Sequence, residues 1–148
     1  MKKLSIIILS LSLMSFSRWQ PDFQKAKEIA KEKHELILLN FSGSDWCGPC
    51  MRLKKEILES NVFTQLADTS LVMVNADFPR NKKNQLDPET VKQNDALADK
   101  YNPDGKFPYT LLLDANGKVL KTWDGLPDES ATEFSDEVRS ACDNAGQD

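Results

Sequence analysis

The sequence predicts an α/β domain in which a mixed β-sheet is covered by helices on both faces. Short apolar segments alternate with longer segments of helical period, which is typical of parallel strands joined by helical crossovers. Near the C-terminus an Asn-Gly pair separates two further apolar segments, as in a β-hairpin, and this adds antiparallel pairing at one side of the sheet. The predicted order is αβαβαββα, with four strands.

Hydrophobic periodicity predicts the elements of the N-terminal half. Residues 21–33 carry apolar side chains at helical spacing with lysines and glutamates between them, which indicates an amphipathic helix. Residues 36–41 (LILLNF) are almost continuously apolar, as in a strand that is buried on both faces. After a loop, residues 50–60 return to helical period, and residues 71–77 (LVMVNAD) form the next apolar strand.

The C-terminal half is predicted in the same way. Residues 78–88 are polar, contain two prolines and are interpreted as a loop. Asn116-Gly117 is a hairpin-turn sequence and separates two short apolar segments. The elements predicted here are, in order, a helix over residues 89–102, strands over 109–114 and 119–124, and a helix over 130–144.

Length, composition and charge limit the classes of function. The 148 residues are 40% hydrophobic and 28% charged, an ordinary balance for one globular domain. A domain of this size buries about 68% of its unfolded surface, so its core needs neither a disulfide nor a metal. Any disulfide is therefore free to react. The net charge is −4 and the basic residues are scattered, which argues against nucleic acid as a partner.

The first 17 residues are expected to be a signal peptide. Lys2 and Lys3 form a short positive region before an apolar segment, and Ser15 and Ser17 occupy the −3 and −1 positions of a cleavage site. The apolar segment has 13 residues, fewer than the roughly 20 that span a bilayer. An uncleaved membrane anchor is the alternative.

Cleavage would leave a domain of residues 18–148 that starts at Arg18. Its net charge would be −6, because the chain total of −4 includes two lysines of the signal peptide. We expect this domain to be periplasmic or secreted, in a compartment where disulfides form and persist.

The sharpest chemical signal is the pair Cys47 and Cys50. Cys47 ends the loop after the first strand and Cys50 opens a helix, so Cys47 lies at a helix N-terminus, where free N–H groups favour an anion. A thiolate there is the nucleophile of thiol–disulfide exchange. Cys50 lies about one turn further on, within reach of a disulfide. Pro49 suits a first helical turn, and Gly48 lets a substrate chain approach closely.

These residues predict that Cys47 attacks a substrate disulfide and that Cys50 resolves the mixed disulfide. Two alternatives stay open. The pair could be half of a zinc site, for which Cys142 and His34 are the remaining ligands. It could also be an inert structural disulfide, although a bridge between residues three apart stabilises little. Cys142 itself could be a buried inert thiol, a third redox cysteine or a bridge to another chain.

The motif resembles a known family. Residues 46–50 (WCGPC) are identical to the active-site motif of thioredoxins, and residues 107–110 (FPYT) resemble the cis-proline segment of that family. Asn116-Gly117 and Gly125 fall where thioredoxins have a hairpin turn and the glycine after the last strand. The resemblance covers roughly residues 19–145 and is greatest to exported bacterial thioredoxin-like proteins. It implies the thioredoxin fold and thiol–disulfide oxidoreductase activity with no cofactor beyond the redox-active disulfide.

The resemblance also implies a set of site residues. Cys47 and Cys50 would be catalytic, and no residue would bind a metal. Pro108 would be cis and face the cysteine pair, and the backbone of Phe107 would pair with the substrate chain. Without the resemblance, an ordinary trans Pro108 remains an alternative. The residues implied to contact substrate are Trp46, Gly48, Pro49, Phe107 and Pro108.

Asn40 and Met73 depart from the family pattern. Typical thioredoxins have a buried Asp and a Lys at the corresponding positions, and these residues help to move the proton of the resolving thiol. Without them the deprotonation of Cys50 needs another route, such as water or Glu56.

Two further departures concern segments. The first strand of the family is reduced to residues 18–20 or is missing, so the sheet has five strands or four. The segment between Asp77 and Pro108 is longer than in typical thioredoxins, and we interpret it as a solvated loop, with partner selection as the alternative.

The predicted function is reduction of disulfides in exported proteins. The Gly-Pro dipeptide between the cysteines resembles the reducing members of the family. A reductase outside the cytoplasm needs electrons, so the resemblance implies a membrane-bound thiol reductase as donor. We expect a monomer. The alternatives are a disulfide oxidase or isomerase, and a non-catalytic binding or chaperone protein of the same fold.

Overall fold

The computed structural model describes residues 19–146, and the predicted signal peptide lies outside these residues. The described chain contains five α-helices and four strands. The helices are α1 (Phe23–Lys33), α2 (Gly48–Arg52), α3 (Asn61–Ser70), α4 (Pro88–Tyr101) and α5 (Ala131–Ala145). The strands are β1 (Leu36–Ser42), β2 (Leu71–Asp77), β3 (Tyr109–Leu113) and β4 (Val119–Asp124). A π-helical segment (Leu53–Leu58) continues α2, and a 3₁₀ turn (Lys82–Asn84) precedes α4.

The strands form one mixed sheet in the order β2-β1-β3-β4. β1 is parallel to β2 and antiparallel to β3, and β4 is antiparallel to β3. The turn between β3 and β4 contains Gly117 at φ 87°, a conformation that glycine adopts at little cost. The predicted thioredoxin fold with a four-stranded mixed sheet is thus confirmed.

The segment before α1 contributes a single bridge rather than a fifth strand within the described residues. Trp19 pairs with Met73 as an isolated parallel bridge, and the backbone N–H of Gln20 donates to the carbonyl oxygen of Met73 over 2.7 Å. The reduced first strand expected from the sequence is therefore what the structure contains.

Each face of the sheet has its own hydrophobic core, because successive side chains of a strand point to opposite faces. Leu38 of β1 points to one face, and its neighbours Ile37 and Leu39 point to the other. α1 and α4 cover the face with Ile37 and Leu39. The π-helical segment, α3 and α5 cover the face with Leu38. Helices therefore cover both faces, as predicted.

The helix α3 was not predicted, so the order of elements contains one helix more than expected between β1 and β2. The predicted helix over residues 50–60 is α2 with its π-helical continuation, and it begins at Gly48 rather than Cys50. Ser60 separates this helix from α3, since its backbone is extended and its hydroxyl caps the N–H of Phe63. Phe63, Leu66 and Ala67 then bury one face of α3.

No helix in residues 19–146 combines the length and hydropathy needed to cross a membrane.

Candidate active site

The cysteine pair lies where the chain leaves the C-terminal end of β1. β1 ends at Ser42, and Cys47 is the N-cap residue of α2, with extended backbone angles (φ −95°, ψ 98°). Pro49 occupies the first helical turn, where a residue without an N–H is tolerated. Cys47 and Cys50 are joined by a disulfide, with an S–S distance of 2.12 Å and Cα atoms 5.3 Å apart.

Cys47 and Cys50 differ in their surroundings. The sulfur of Cys47 accepts a hydrogen bond from the backbone N–H of Cys50 over 3.3 Å, as a capping oxygen would. The same donor would stabilise a thiolate on Cys47 after reduction. Both cysteines are buried, at 5% and 3% exposure, whereas Gly48 and Pro49 between them are exposed. Access to the sulfurs therefore lies along the Gly48-Pro49 edge.

The indole of Trp46 is fixed on several sides. Its Nε1–H donates to the carbonyl oxygen of Phe78 over 2.8 Å, and its ring meets the ring of Phe107 edge-on, with centroids 5.3 Å apart. The guanidinium of Arg80 lies 3.7 Å above its centroid. A Cβ at position 43 would come within 2.2 Å of the indole, so Gly43 leaves the space that the ring occupies.

The carboxylate of Asp45 attaches the 78–85 segment to the site. It accepts hydrogen bonds from the backbone N–H groups of Arg80 and Asn81, over 2.9 and 2.8 Å, and from the side-chain amide of Asn84 over 3.0 Å. These bonds, with that of Arg80 foremost, hold the pKa of Asp45 below its usual value. Residues 80–85 are exposed, as expected of a solvated loop, and their backbone is in addition hydrogen-bonded to the active-site loop.

The peptide bond between Phe107 and Pro108 is cis, as expected. β3 begins at the next residue, Tyr109, which pairs with Phe41 near the end of β1. The ring of Phe107 packs against Trp46, beside the nucleophile. The cis-proline segment and the cysteine motif thus lie at the same end of the sheet.

Next to the resolving cysteine lies a pocket of about 710 Å³, and the polar part of its lining includes Asn40, Ser42 and Asn75. Asn40 is buried at 3% exposure. Its amide donates to Oδ1 of Asn75 over 2.9 Å, and the same oxygen accepts from the hydroxyl of Ser42 over 3.0 Å. The hydroxyl of Thr110 donates to Oδ1 of Asn40 over 3.1 Å. Asn40, at the position where the resemblance implies a carboxylate, is therefore hydrogen-bonded to neutral amide and hydroxyl groups.

Glu56, which was proposed as a route for the proton of Cys50, and Met73, which departs from the family's Lys, have different surroundings. Glu56 forms a surface ion pair with Arg52 and its side chain is 53% exposed. Met73 is 1% exposed and belongs to the core under α3 and α5. The sequence analysis missed Asn75. The signal that could have identified Asn75 is its polar side chain within an apolar strand. Asn75 is in register with Asn40 of the neighbouring strand.

The remaining candidates do not form a metal site with the pair. No cluster of three or more His, Cys, Asp or Glu side chains suited to a metal occurs within residues 19–146. His34 is the C-cap of α1, with left-handed backbone angles. Cys142 packs against the core under α5, and burial raises the pKa of its thiol to about 11. This thiol is therefore protonated and poorly nucleophilic at neutral pH.

Comparison with known proteins agrees with this site. The thioredoxin-like domain family matches residues 23–141. Over 124 residues the chain is 36% identical to the disulfide bond reductase DsbH of Chlamydia pneumoniae, covering 84% of this chain and 72% of that protein. It is 30% identical to the thioredoxin-related protein DsbJ of the same organism, covering 93% of this chain but only 42% of that longer protein.

A solved structure of a DsbH oxidoreductase is also similar. It superposes with a TM-score of 0.76 at 33% sequence identity, and the match covers 84% of this chain and 83% of the other. The family match spans most of the chain and includes both cysteines, the cis-proline segment and all four strands. The chain is therefore a member of the thioredoxin-like family of thiol–disulfide oxidoreductases.

Proposed function

We propose that this protein reduces disulfides in exported proteins through Cys47 and Cys50. The observation that carries the proposal is the geometry of the pair. Cys47 caps a helix, its sulfur accepts the N–H of Cys50 over 3.3 Å, and the partner sulfur is already within bonding distance. A nucleophile that is stabilised as an anion, with a resolving thiol beside it, is what disulfide exchange requires.

The reaction starts from the reduced protein. The thiolate of Cys47 attacks one sulfur of the substrate disulfide, that S–S bond breaks, and the other substrate sulfur leaves as a thiolate and takes up a proton. The thiol of Cys50 then loses its proton and attacks Cys47. The mixed disulfide breaks and the second substrate sulfur is released. Two electrons have passed to the substrate, and Cys47 and Cys50 end as a disulfide.

The substrate-contacting roles belong to the exposed rim of the pair. Gly48 and Pro49 are exposed between the sulfurs, so a substrate chain can approach there without displacing side chains. Trp46 and Phe107 form a continuous aromatic surface beside them. The backbone next to the cis Pro108 would pair with the substrate chain.

The reducing direction is supported by the Gly-Pro dipeptide and by the name of the similar DsbH, a disulfide bond reductase. Each catalytic cycle oxidises Cys47 and Cys50, so another thiol protein must return two electrons. We infer a membrane-bound thiol reductase as that donor, and residues 1–17 as the signal peptide that brings the protein to the same periplasmic or secreted compartment. The protein would act as a monomer.

The direction is tested by the equilibrium redox potential of the Cys47–Cys50 pair. The pair would be titrated against glutathione and dithiothreitol series in a Cys142→Ser background, which removes the third thiol. A value near −250 mV or below, close to the roughly −270 mV of thioredoxin, is expected for a reductase. A value near −150 mV would lie with the oxidases and isomerases, at about −180 to −120 mV, and would contradict the proposed direction.

A Cys47→Ser variant separates catalysis from binding. Reduction of a protein disulfide should fall to the uncatalysed rate, because the nucleophile is lost while Cys50 remains. If the variant kept the cellular activity of the wild type, the protein would instead be a non-catalytic binding or chaperone protein on this fold.

A further inference from the structure

The exposed side chains of the segment beside the active site are basic. Arg80, Lys82 and Lys83 fall within four positions and are all exposed. Within residues 19–146, none of the three has a carboxylate at ion-pair distance. The chain as a whole carries a net charge of −4. We call residues 80–83 the basic loop. Its positive charge is opposite to the net negative charge of the whole chain.

Three acidic residues near the basic loop accept hydrogen bonds within the fold. Asp45 accepts from the backbone of the loop itself. Asp77 accepts from the hydroxyls of Ser42 and Ser44. Asp87 caps α4 by accepting from backbone N–H groups and from Thr90. The carboxylates are thus directed at hydrogen-bond donors of the protein, and the cations are directed at solvent.

The basic loop is held in place relative to Cys47. Two backbone hydrogen bonds, and a third from the side chain of Asn84, attach it to Asp45, two residues before the nucleophile. The amide of Gln85 donates to the carbonyl oxygens of Pro79 and Asn81 over 3.1 and 3.3 Å. Arg80 stacks on Trp46 at 3.7 Å. A substrate lying on Trp46 would therefore meet Arg80, and the loop backbone that carries Lys82 and Lys83 requires little ordering on binding.

We propose that the basic loop selects substrate disulfides that are flanked by acidic residues. A carboxylate a few residues from the attacked cysteine would pair with Arg80 and with Lys82 or Lys83, while the substrate backbone lies along Trp46 and Phe107. This inference rests on the proposed function and names its substrate class. Charges at the rim of an interface act mainly on association, so the preference appears in kcat/KM and weakens with salt.

The test uses three disulfide peptides that differ only in their flanking residues, which are acidic, neutral or basic. The reduced protein should reduce the acidic peptide with a kcat/KM about 10-fold above that of the basic peptide at low ionic strength. The ratio should approach one in high salt, since exposed charges are screened. Equal kcat/KM for the three peptides at low salt would overturn the inference.

The variant that tests the loop is Lys82→Glu with Lys83→Glu. Their side chains make no hydrogen bond or ion pair within residues 19–146, and the variant leaves Arg80, Asp45 and Trp46 in place. In this variant the kcat/KM values of the three peptides should become equal, or the basic peptide should have the highest value. The matched control is Lys31→Glu with Lys118→Glu, an equal charge change at the opposite end of the sheet, which should keep the wild-type order. An unchanged order in the loop variant would contradict the inference.

Binding separates this inference from the proposed function. Versions of the three peptides with serine in place of cysteine cannot react, and their affinity for the oxidised protein should follow the same order. If no peptide were reduced, the proposed function would fail, and the binding series would still decide whether the basic loop prefers acidic chains. Equal affinities for the three would overturn the inference alone.

Discussion

At the scale of single residues, Gly43 positions the active-site tryptophan by lacking a side chain. An added Cβ would lie 2.2 Å from Cε2 and 2.5 Å from Nε1 of Trp46. Phe78, Arg80 and Phe107 contact the indole from other sides, so a shift of the ring would break one of these contacts.

We predict that Gly43→Ala lowers the stability of the protein by about 1–3 kcal/mol, as overpacking does in other cores. The indole must also leave its hydrogen bond to Phe78, so the Nε1–H resonance of Trp46 should shift in a ¹H–¹⁵N spectrum. Gly48→Ala is the matched control, because no atom lies within 4 Å of its Cβ position. An unshifted Trp46 resonance in the Gly43 variant would show that the ring is not held as described.

At the scale of elements, α5 is stabilised at its first turn by a reciprocal cap. The hydroxyl of Ser130 accepts from the N–H of Glu133, and the carboxylate of Glu133 accepts from the N–H and hydroxyl of Ser130. These bonds hold the pKa of Glu133 below its usual value, with the backbone N–H of Ser130 as the main cause. α5 places Phe134 against Phe63 and Trp123, so the cap supports one of the two cores.

Replacing Ser130 by alanine should lower Tm by about 2–5 °C at neutral pH, as loss of a helix cap does. Glu133 has a lowered pKa in the folded state, so its contribution is present above its unfolded pKa and is lost as the pH falls through the folded value. The Tm difference should therefore shrink at about pH 3. Ser140→Ala, on the exposed side of α5, is the control and should not lower Tm. If the Tm difference between the wild type and Ser130→Ala grew in acid, the proposed role of the Glu133 carboxylate in the cap would be wrong.

The predictions made from sequence succeeded where the signal was local and failed where it was not. The strands β1 and β2 and the Asn116-Gly117 turn follow from short patterns. The helix α3 is the exception: it was missed although Phe63, Leu66 and Ala67 recur at helical spacing and Ser60 is a typical N-cap residue.

Some parts of the active site could likewise be predicted from local sequence, and others could not. The WCGPC motif places both cysteines within a few residues of each other, so its geometry could be predicted. The contact between Asp45 and Arg80 joins positions 35 residues apart, and no local pattern in either segment indicates it. The pairing of Asn40 with Asn75 depends on strand register, which a single strand does not reveal.

At the scale of the whole molecule, all the described helices and strands lie beyond the predicted signal peptide. The first helix begins at Phe23, after the bridge that Trp19 forms with Met73. Among the described residues, the core clusters on the two faces of the sheet extend from Trp19 to Cys142. We therefore expect the domain to fold without residues 1–17.

The full-length chain, expressed in a Gram-negative host, should yield a periplasmic protein whose first residue is Arg18. The expected cleavage site has small side chains at Ser15 and Ser17. Intact mass spectrometry of the periplasmic fraction measures this directly. A variant with Ser15→Leu and Ser17→Leu should remain uncleaved. Recovery of the wild-type chain with Met1 in the membrane fraction would instead show that the segment is retained as an anchor.

The attachment of the 78–85 segment to Asp45 limits where genes for related proteins can recombine without disturbing the active site. A crossover between related genes that falls between codons 45 and 80 would join an aspartate from one parent to a loop from another. The chimaera would keep both cysteines and the fold, yet the loop would lose its hydrogen-bond acceptor or carry the wrong length for it. The two segments, distant in the chain, should therefore be inherited together, and co-variation between them is expected among descendants.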